Sequence, residues 1–210
     1  MELIFIRHGL PERQVRNDSS ADPGLSSTGS AQAVALGEWL GREPVDVIAQ
    51  SPARRARETA APLARRCGLT PITVADLKEF DAGSGSYVPV EEMRAAGDPK
   101  WQLLRQGRLY GTDEEAWAFR LRVVASVESL LHTPGTRTAV VCHGGVINAY
   151  LGHILGIDKP LWFAARYTGI CRVLAARTGE RSLLTLNEAP HLARCGLRFG
   201  DGEPGGASAS

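Results

Sequence analysis

The chain has 210 residues, 43% hydrophobic and 22% charged, enough for one sizeable core or two small ones and ordinary for a soluble globular protein. Its 24 Lys and Arg against 23 Asp and Glu leave a formal net charge of +1. That balance gives no general attraction to nucleic acid or to an anionic membrane, so any cationic site must be local.

The chain opens with MELIFIRHGL, where Glu2–Ile6 reads as a short apolar strand that ends in Arg7, His8 and Gly9. A polar stretch follows to Ser27. A helix is then expected from about Thr28 to Gly41, with Ala31, Val34, Ala35 and Leu40 on one side. Asp46–Gln50 reads as a second strand. Ser51 and Pro52 fit the cap and first position of a helix that runs to Cys67, with Gly68 closing it. Ile72–Leu77 leads toward a third strand.

Residues 83–111 are the least regular part and carry Tyr87, Trp101 and Tyr110 between Gly and Pro breaks. Thr112 and Glu115 form a capping box for a long helix to about His132, with Trp117 on its core face. Thr136–Cys142 is a strong strand that runs into His143-Gly144-Gly145 and another helix. Two weaker strands lie near Ile170–Ala175 and Leu183–Leu186. The last residues, 199–210, are a Gly/Ser/Ala tail with little to bury. Strands alternating with helices predict an α/β three-layer fold, a mostly parallel sheet with helices on both faces, in a single domain over 1–198.

No apolar run is long enough to span a bilayer, and the N-terminus lacks the pattern of a secretory leader. Cys67, Cys142, Cys171 and Cys195 are scattered and read as reduced thiols of a cytoplasmic protein. Asn17-Asp18-Ser19 fits a glycosylation pattern but reads as chance without a secretion route.

Two strands end alike, in Arg7-His8-Gly9 and in Cys142-His143-Gly144-Gly145. In a parallel α/β sheet the carboxyl ends of strands share one edge, where ligands bind, so Arg7, His8 and His143 can converge. A lone strand-end histidine is more often structural, but two such ends, each followed by Gly, favour a site where ligand approaches backbone amides. Arg55 points inward from the helix after Ser51, while Arg54 and Arg57 face solvent. Two arginines, two imidazoles and helix amino termini together suit a tetrahedral phosphoryl group.

These motifs resemble the histidine phosphatase superfamily, also called phosphoglycerate mutase-like. Arg7-His8-Gly9 matches its RHG signature, and Pro23–Ala33 is similar to its PLTxxGxxQA segment. SPARRARETA resembles SxxxRAxxTA, LKEFDAG resembles LxExxxG, and VVCHGGVI resembles the second-histidine motif. The resemblance spans roughly residues 1–190 and implies a phosphomonoester hydrolase acting through a phosphohistidine on a small phosphorylated metabolite. It implies His8 as nucleophile, Arg7, Arg55 and His143 as phosphoryl ligands, and Glu79 as the acid. Gly9, Gly144, Gln14 and Tyr87 are further expected at the substrate, and no metal or other cofactor is expected.

The segment after RHG, Leu10-Pro11-Glu12-Arg13-Gln14, departs from the mutases' ESxWN, and the Glu79–His143 interval is shorter than theirs. Both differences weigh against mutase activity. Mutase-type transfer and a non-catalytic phosphate- or partner-binding module stand as alternatives. Asp81 is an alternative acid if it shares a strand face with Glu79. Cys142 reads as core, and His132, His153 and His191 as structural or exposed. Tyr87 and Trp101, with Arg105 or Arg108, either line a substrate mouth or form a satellite cluster. The expected partner is the substrate, with a homodimer allowed and neither nucleic acid nor membrane expected.

Overall fold

The computed structural model describes residues 1–15, 21–105 and 112–194. Its main sheet has six strands in the order β4-β3-β6-β1-β7-β8. These are β1 (Glu2–Arg7), β3 (Val47–Gln50), β4 (Ile72–Thr73), β6 (Arg137–Cys142), β7 (Ile170–Ala175) and β8 (Arg181–Glu188). β4, β3, β6 and β1 run parallel, β7 is antiparallel to β1, and β8 is antiparallel to β7. A two-residue ribbon of β2 (Gln14–Val15) and β5 (Ser86–Tyr87) stands apart.

β1 and β6 are apolar on both faces because both faces are covered. Leu3 and Phe5 pack with Val140 and Cys142 against α5 (Asp113–Leu130) and α6 (Gly144–Leu155). The alternate residues, Ile4 and Ile6 with Ala139 and Val141, pack against α1 (Ser27–Leu40) and α2 (Arg54–Cys67). This is the three-layer α/β arrangement expected.

Local signals succeed where the partner is near in sequence. Thr112 and Glu115 form the reciprocal capping box of α5, and Gly68 ends α2 in the left-handed conformation at φ 66°. They fail where a distant neighbour decides. α1 buries Gly29, Gln32, Ala33, Ala35, Leu36, Gly37 and Leu40, leaving Ala31 and Val34 exposed. The small-residue face wins because α2 comes close: a Cβ on Gly37 would lie 2.9 Å from the backbone nitrogen of Leu63.

Trp117 is exposed together with Leu121, four residues on, while Phe119, Val123 and Val127 form the buried stripe of α5. The irregular segment contains β5, α3 (Val90–Ala95) and α4 (Pro99–Arg105), with Trp101 half-buried in α4. A short helix α7 (Pro190–Arg194), not expected from the sequence, follows β8. Arg108, Tyr110, Cys195, residues 17–19 and the 199–210 tail lie outside the described residues. Among the described residues no helix is long and apolar enough to cross a membrane.

Candidate active site

The carboxyl ends of β1, β3 and β6 deliver Arg7, Ser51 and His143 to one edge of the sheet, as the parallel register dictates: Arg7 pairs with Cys142, and Ser51 N–H bonds to the Val141 carbonyl. His8 and His143 are buried, with ring centroids 5.1 Å apart and an edge-to-face arrangement. His8 Nδ1 lies 2.8 Å from the Gly9 carbonyl oxygen, which can only accept, so Nδ1 carries the hydrogen. Nε2 is then the unprotonated nitrogen, and Arg55 Nε donates to it at 3.3 Å. Burial first, then the neighbouring Arg55, His143 and Arg7, push the His8 pKa well below that of an ordinary histidine. His8 is thus a neutral imidazole with a lone pair facing cations. The same causes, burial first and then Arg55 and Arg7, lower the pKa of His143.

Arg7 is buried. Its guanidinium donates to the Ala165 carbonyl at 2.7 Å and lies 3.8 Å over the Tyr167 ring. Arg55, 4% exposed, stacks on Tyr87 at 4.6 Å, with Asp81 3.7 Å away. Arg54 is exposed and paired with Glu58, as expected of a solvent-facing arginine.

The segment carrying Glu79 is a turn after a 3-10 turn at Ala75–Leu77, not a strand, so Asp81 does not share a strand face with it. Arg122 of α5 holds this segment by donating to the carbonyls of Asp76 and Lys78. Glu79 Oε2 accepts from Gly145 N–H at 2.8 Å at the start of α6. Burial and then the Asp81 charge outweigh that bond and raise the Glu79 carboxyl to about 7.

Gly9 does not present its amide to a ligand: the N–H donates to Thr59 Oγ1 at 2.9 Å. Glycine is required there because a Cβ would lie 2.7 Å from the Gly29 carbonyl oxygen. Gly144 has room for a Cβ, with Arg7 Nε the nearest atom at 3.8 Å. The helix amino termini are partly engaged, since Gly145 N–H serves Glu79, and Arg54 N–H serves Asp22 at 2.9 Å. Gln14 sits opposite Tyr87 in the ribbon, with its side-chain oxygen accepting from Asp22 N–H. Cys142 is core, as expected.

Sequence reasoning missed Ser51, Tyr167 and Thr168. Ser51 carries a cap signal that hides its bond to His143, and nothing local marks Tyr167. Thr168 adopts a left-handed φ of 53°, rare for a branched residue, while its N–H donates to the Arg7 carbonyl. His191 braces it at 2.9 Å. Among the described residues no three His, Cys, Asp or Glu side chains gather as a metal ion would require.

The family model for the histidine phosphatase superfamily (branch 1) matches residues 3–189. The uncharacterized phosphatase PhoE of Bacillus subtilis is 28% identical over 162 residues, covering 76% of this chain and 80% of that protein. The probable phosphoglycerate mutase GpmB of Yersinia enterocolitica is 25% identical over 169 residues, covering 75% and 76%. In structure, the chain resembles mycobacterial glucosyl-3-phosphoglycerate phosphatase with a TM-score of 0.73 at 22% identity, over 90% of this chain and 99% of that one.

Proposed function

The chain belongs to the histidine phosphatase superfamily, and from that premise we propose that it hydrolyses small phosphomonoesters through a phosphohistidine on His8, with no metal ion. The observation that carries this reading is the state of His8: buried, neutral, its hydrogen held on Nδ1 by Gly9 and its Nε2 lone pair set among Arg55, Arg7 and His143.

Attack by Nε2 on phosphorus forms the N–P bond as the bond to the leaving oxygen breaks. Arg7, Arg55 and His143 take up the charge on the phosphoryl oxygens, so positioning and charge neutralisation supply most of the catalysis. Glu79, protonated below about 7, gives its proton to the leaving oxygen. As a carboxylate it then takes a proton from the water that attacks phosphorus. The N–P bond breaks, inorganic phosphate leaves and His8 regains its lone pair. Tyr87 supports the Arg55 guanidinium from below, which gives it a part in binding the substrate phosphate.

Rapid quenching during turnover should trap an acid-labile phosphoenzyme, absent in His8→Ala. An active protein with no such species would mean direct attack by water. Hydrolysis of p-nitrophenyl phosphate should survive EDTA, and loss restored only by added Mg²⁺ or Zn²⁺ would contradict a metal-free reaction. Mutase-type transfer shares the covalent step, and likeness to a relative named as a mutase keeps it in view. With 3-phosphoglycerate and a trace of 2,3-bisphosphoglycerate, little 2-phosphoglycerate should form; fast isomerisation would favour the mutase.

A further inference from the structure

Ser51 follows the last residue of β3 and carries the sequence signature of a helix cap. The cap position of α2 is nevertheless Ala53, with no side-chain cap bond. The Ser51 hydroxyl lies 2.7 Å from His143 Nε2, and both residues are fully buried. The Ala53 N–H approaches Ser51 Oγ at 3.3 Å and occupies one of its lone pairs. The hydroxyl hydrogen still needs an acceptor, because an unmade bond at a buried polar group is costly. Among the described residues His143 Nε2 is the group placed to accept it. A neutral imidazole that accepts at Nε2 carries its hydrogen at Nδ1. That Nδ1 is buried and has no partner among the described residues.

We propose that Ser51 is a positioning residue that fixes His143 in the Nδ1–H form, so that this N–H is offered to the phosphoryl group held beside His8. The proposal rests on the functional reading above and assigns this site one more residue. The two histidines then share a tautomer but use opposite ends of it. A backbone carbonyl holds the Nδ1 hydrogen of His8 and frees Nε2 to attack. A hydroxyl occupies Nε2 of His143 and frees the Nδ1 hydrogen to donate. Without the hydroxyl, His143 can place its hydrogen on Nε2 and turn a lone pair toward the phosphoryl oxygens, where it repels.

The test reads the tautomer directly. Long-range ¹H–¹⁵N spectra of the labelled protein near neutral pH, with His143 assigned through His143→Gln, should show hydrogen on Nδ1 and an unprotonated Nε2. Added inorganic phosphate should shift the Nδ1–H signal. Ser51→Ala should lose the tautomer preference. It should lower kcat on p-nitrophenyl phosphate by about 10- to 100-fold, on the scale of losing the hydrogen-bonded support that orients a metal-bound histidine, with KM changed less than about threefold. Ser51→Thr, which keeps the hydroxyl, should recover both the tautomer and kcat.

Hydrogen on Nε2 in the unmodified protein overturns the proposal, as does a Ser51→Ala variant with unaltered tautomer and rate. So does phosphate binding that leaves the Nδ1–H signal unmoved. A protein that turns over no phosphomonoester defeats the catalytic reading alone, since the tautomer and its response to inorganic phosphate are read without turnover.

Discussion

The two ends of β1 both collect arginines, and they treat them in opposite ways. At the amino end, Arg137 meets Glu2 at 2.7 Å, and Arg172 meets Glu2, Glu43 and Glu188 at 2.9, 2.7 and 3.2 Å. Both arginines there have carboxylates in contact. At the carboxyl end, Arg7 is held by a carbonyl and an aromatic ring, and Arg55 by an imidazole nitrogen, a ring and a carboxylate 3.7 Å away. The first group is a network that closes on itself. The second is arranged mainly by carbonyl, aromatic and imidazole contacts that fix geometry, with the Asp81 carboxylate set back at 3.7 Å from Arg55, and it is a geometry that an anionic ligand would engage.

The contrast is broken most sharply by Glu79→Gln, which keeps the shape of the carboxylic acid and removes its proton. An alkyl phosphate, whose leaving alkoxide needs that proton, should be hydrolysed 10²–10⁴-fold more slowly, on the order expected of a general acid. Loss of p-nitrophenol, a stable anion near neutral pH, should change far less while phosphorylation of His8 limits the rate. Equal losses on both substrates would place Glu79 in the water step instead.

Next in size is the difference between the two kinds of arginine. Arg55→Ala should lower kcat/KM by on the order of 10²–10³, as for a lost transition-state donor. Arg172→Met should leave kcat/KM unchanged while exposing the repulsion of Glu2, Glu43 and Glu188. The pairs are largely but not fully buried, so the stability cost should be roughly 2–4 kcal/mol, below the 3–5 kcal/mol of a fully buried broken pair. A thermal-unfolding midpoint lowered by roughly 5–10 °C would register it. An active-site defect in Arg172→Met would show that the two ends are not separate.

The smallest effect sharpens the role of Asp81. Glu79 must be protonated for the first step, so the rate on an alkyl phosphate should fall as pH rises through about 7. Burial is the larger cause of that raised value and the Asp81 charge the second. Asp81→Asn should therefore move the alkaline limb on the alkyl ester to lower pH and leave the rate below that limb unchanged for either leaving group. A limb that does not move would remove Asp81 from the account, and a loss selective for the alkyl ester that persists below the limb would make it the acid.

The linear sequence determined the things that depend on neighbours a few residues apart. The apolar runs of β1 and β6, the capping box of α5, the Gly68 stop and the repeated strand–His–Gly endings are all legible because each is a local pattern with a local cause. From two parallel strands with matching ends, the convergence of Arg7, His8 and His143 followed. Only the tertiary structure decided which polar groups close on one another across the sheet. The Ser51–His143 bond spans 92 residues and Arg7–Ala165 spans 158, and in neither pair does one partner's surroundings reveal the other. The same holds for the buried face of α1, chosen by the approach of α2, and for a glutamate whose proton is retained near neutral pH by burial and a neighbouring carboxylate. Hydrophobic pattern fixes which strands form, but hydrogen-bond partners and local dielectric are properties of the packed chain.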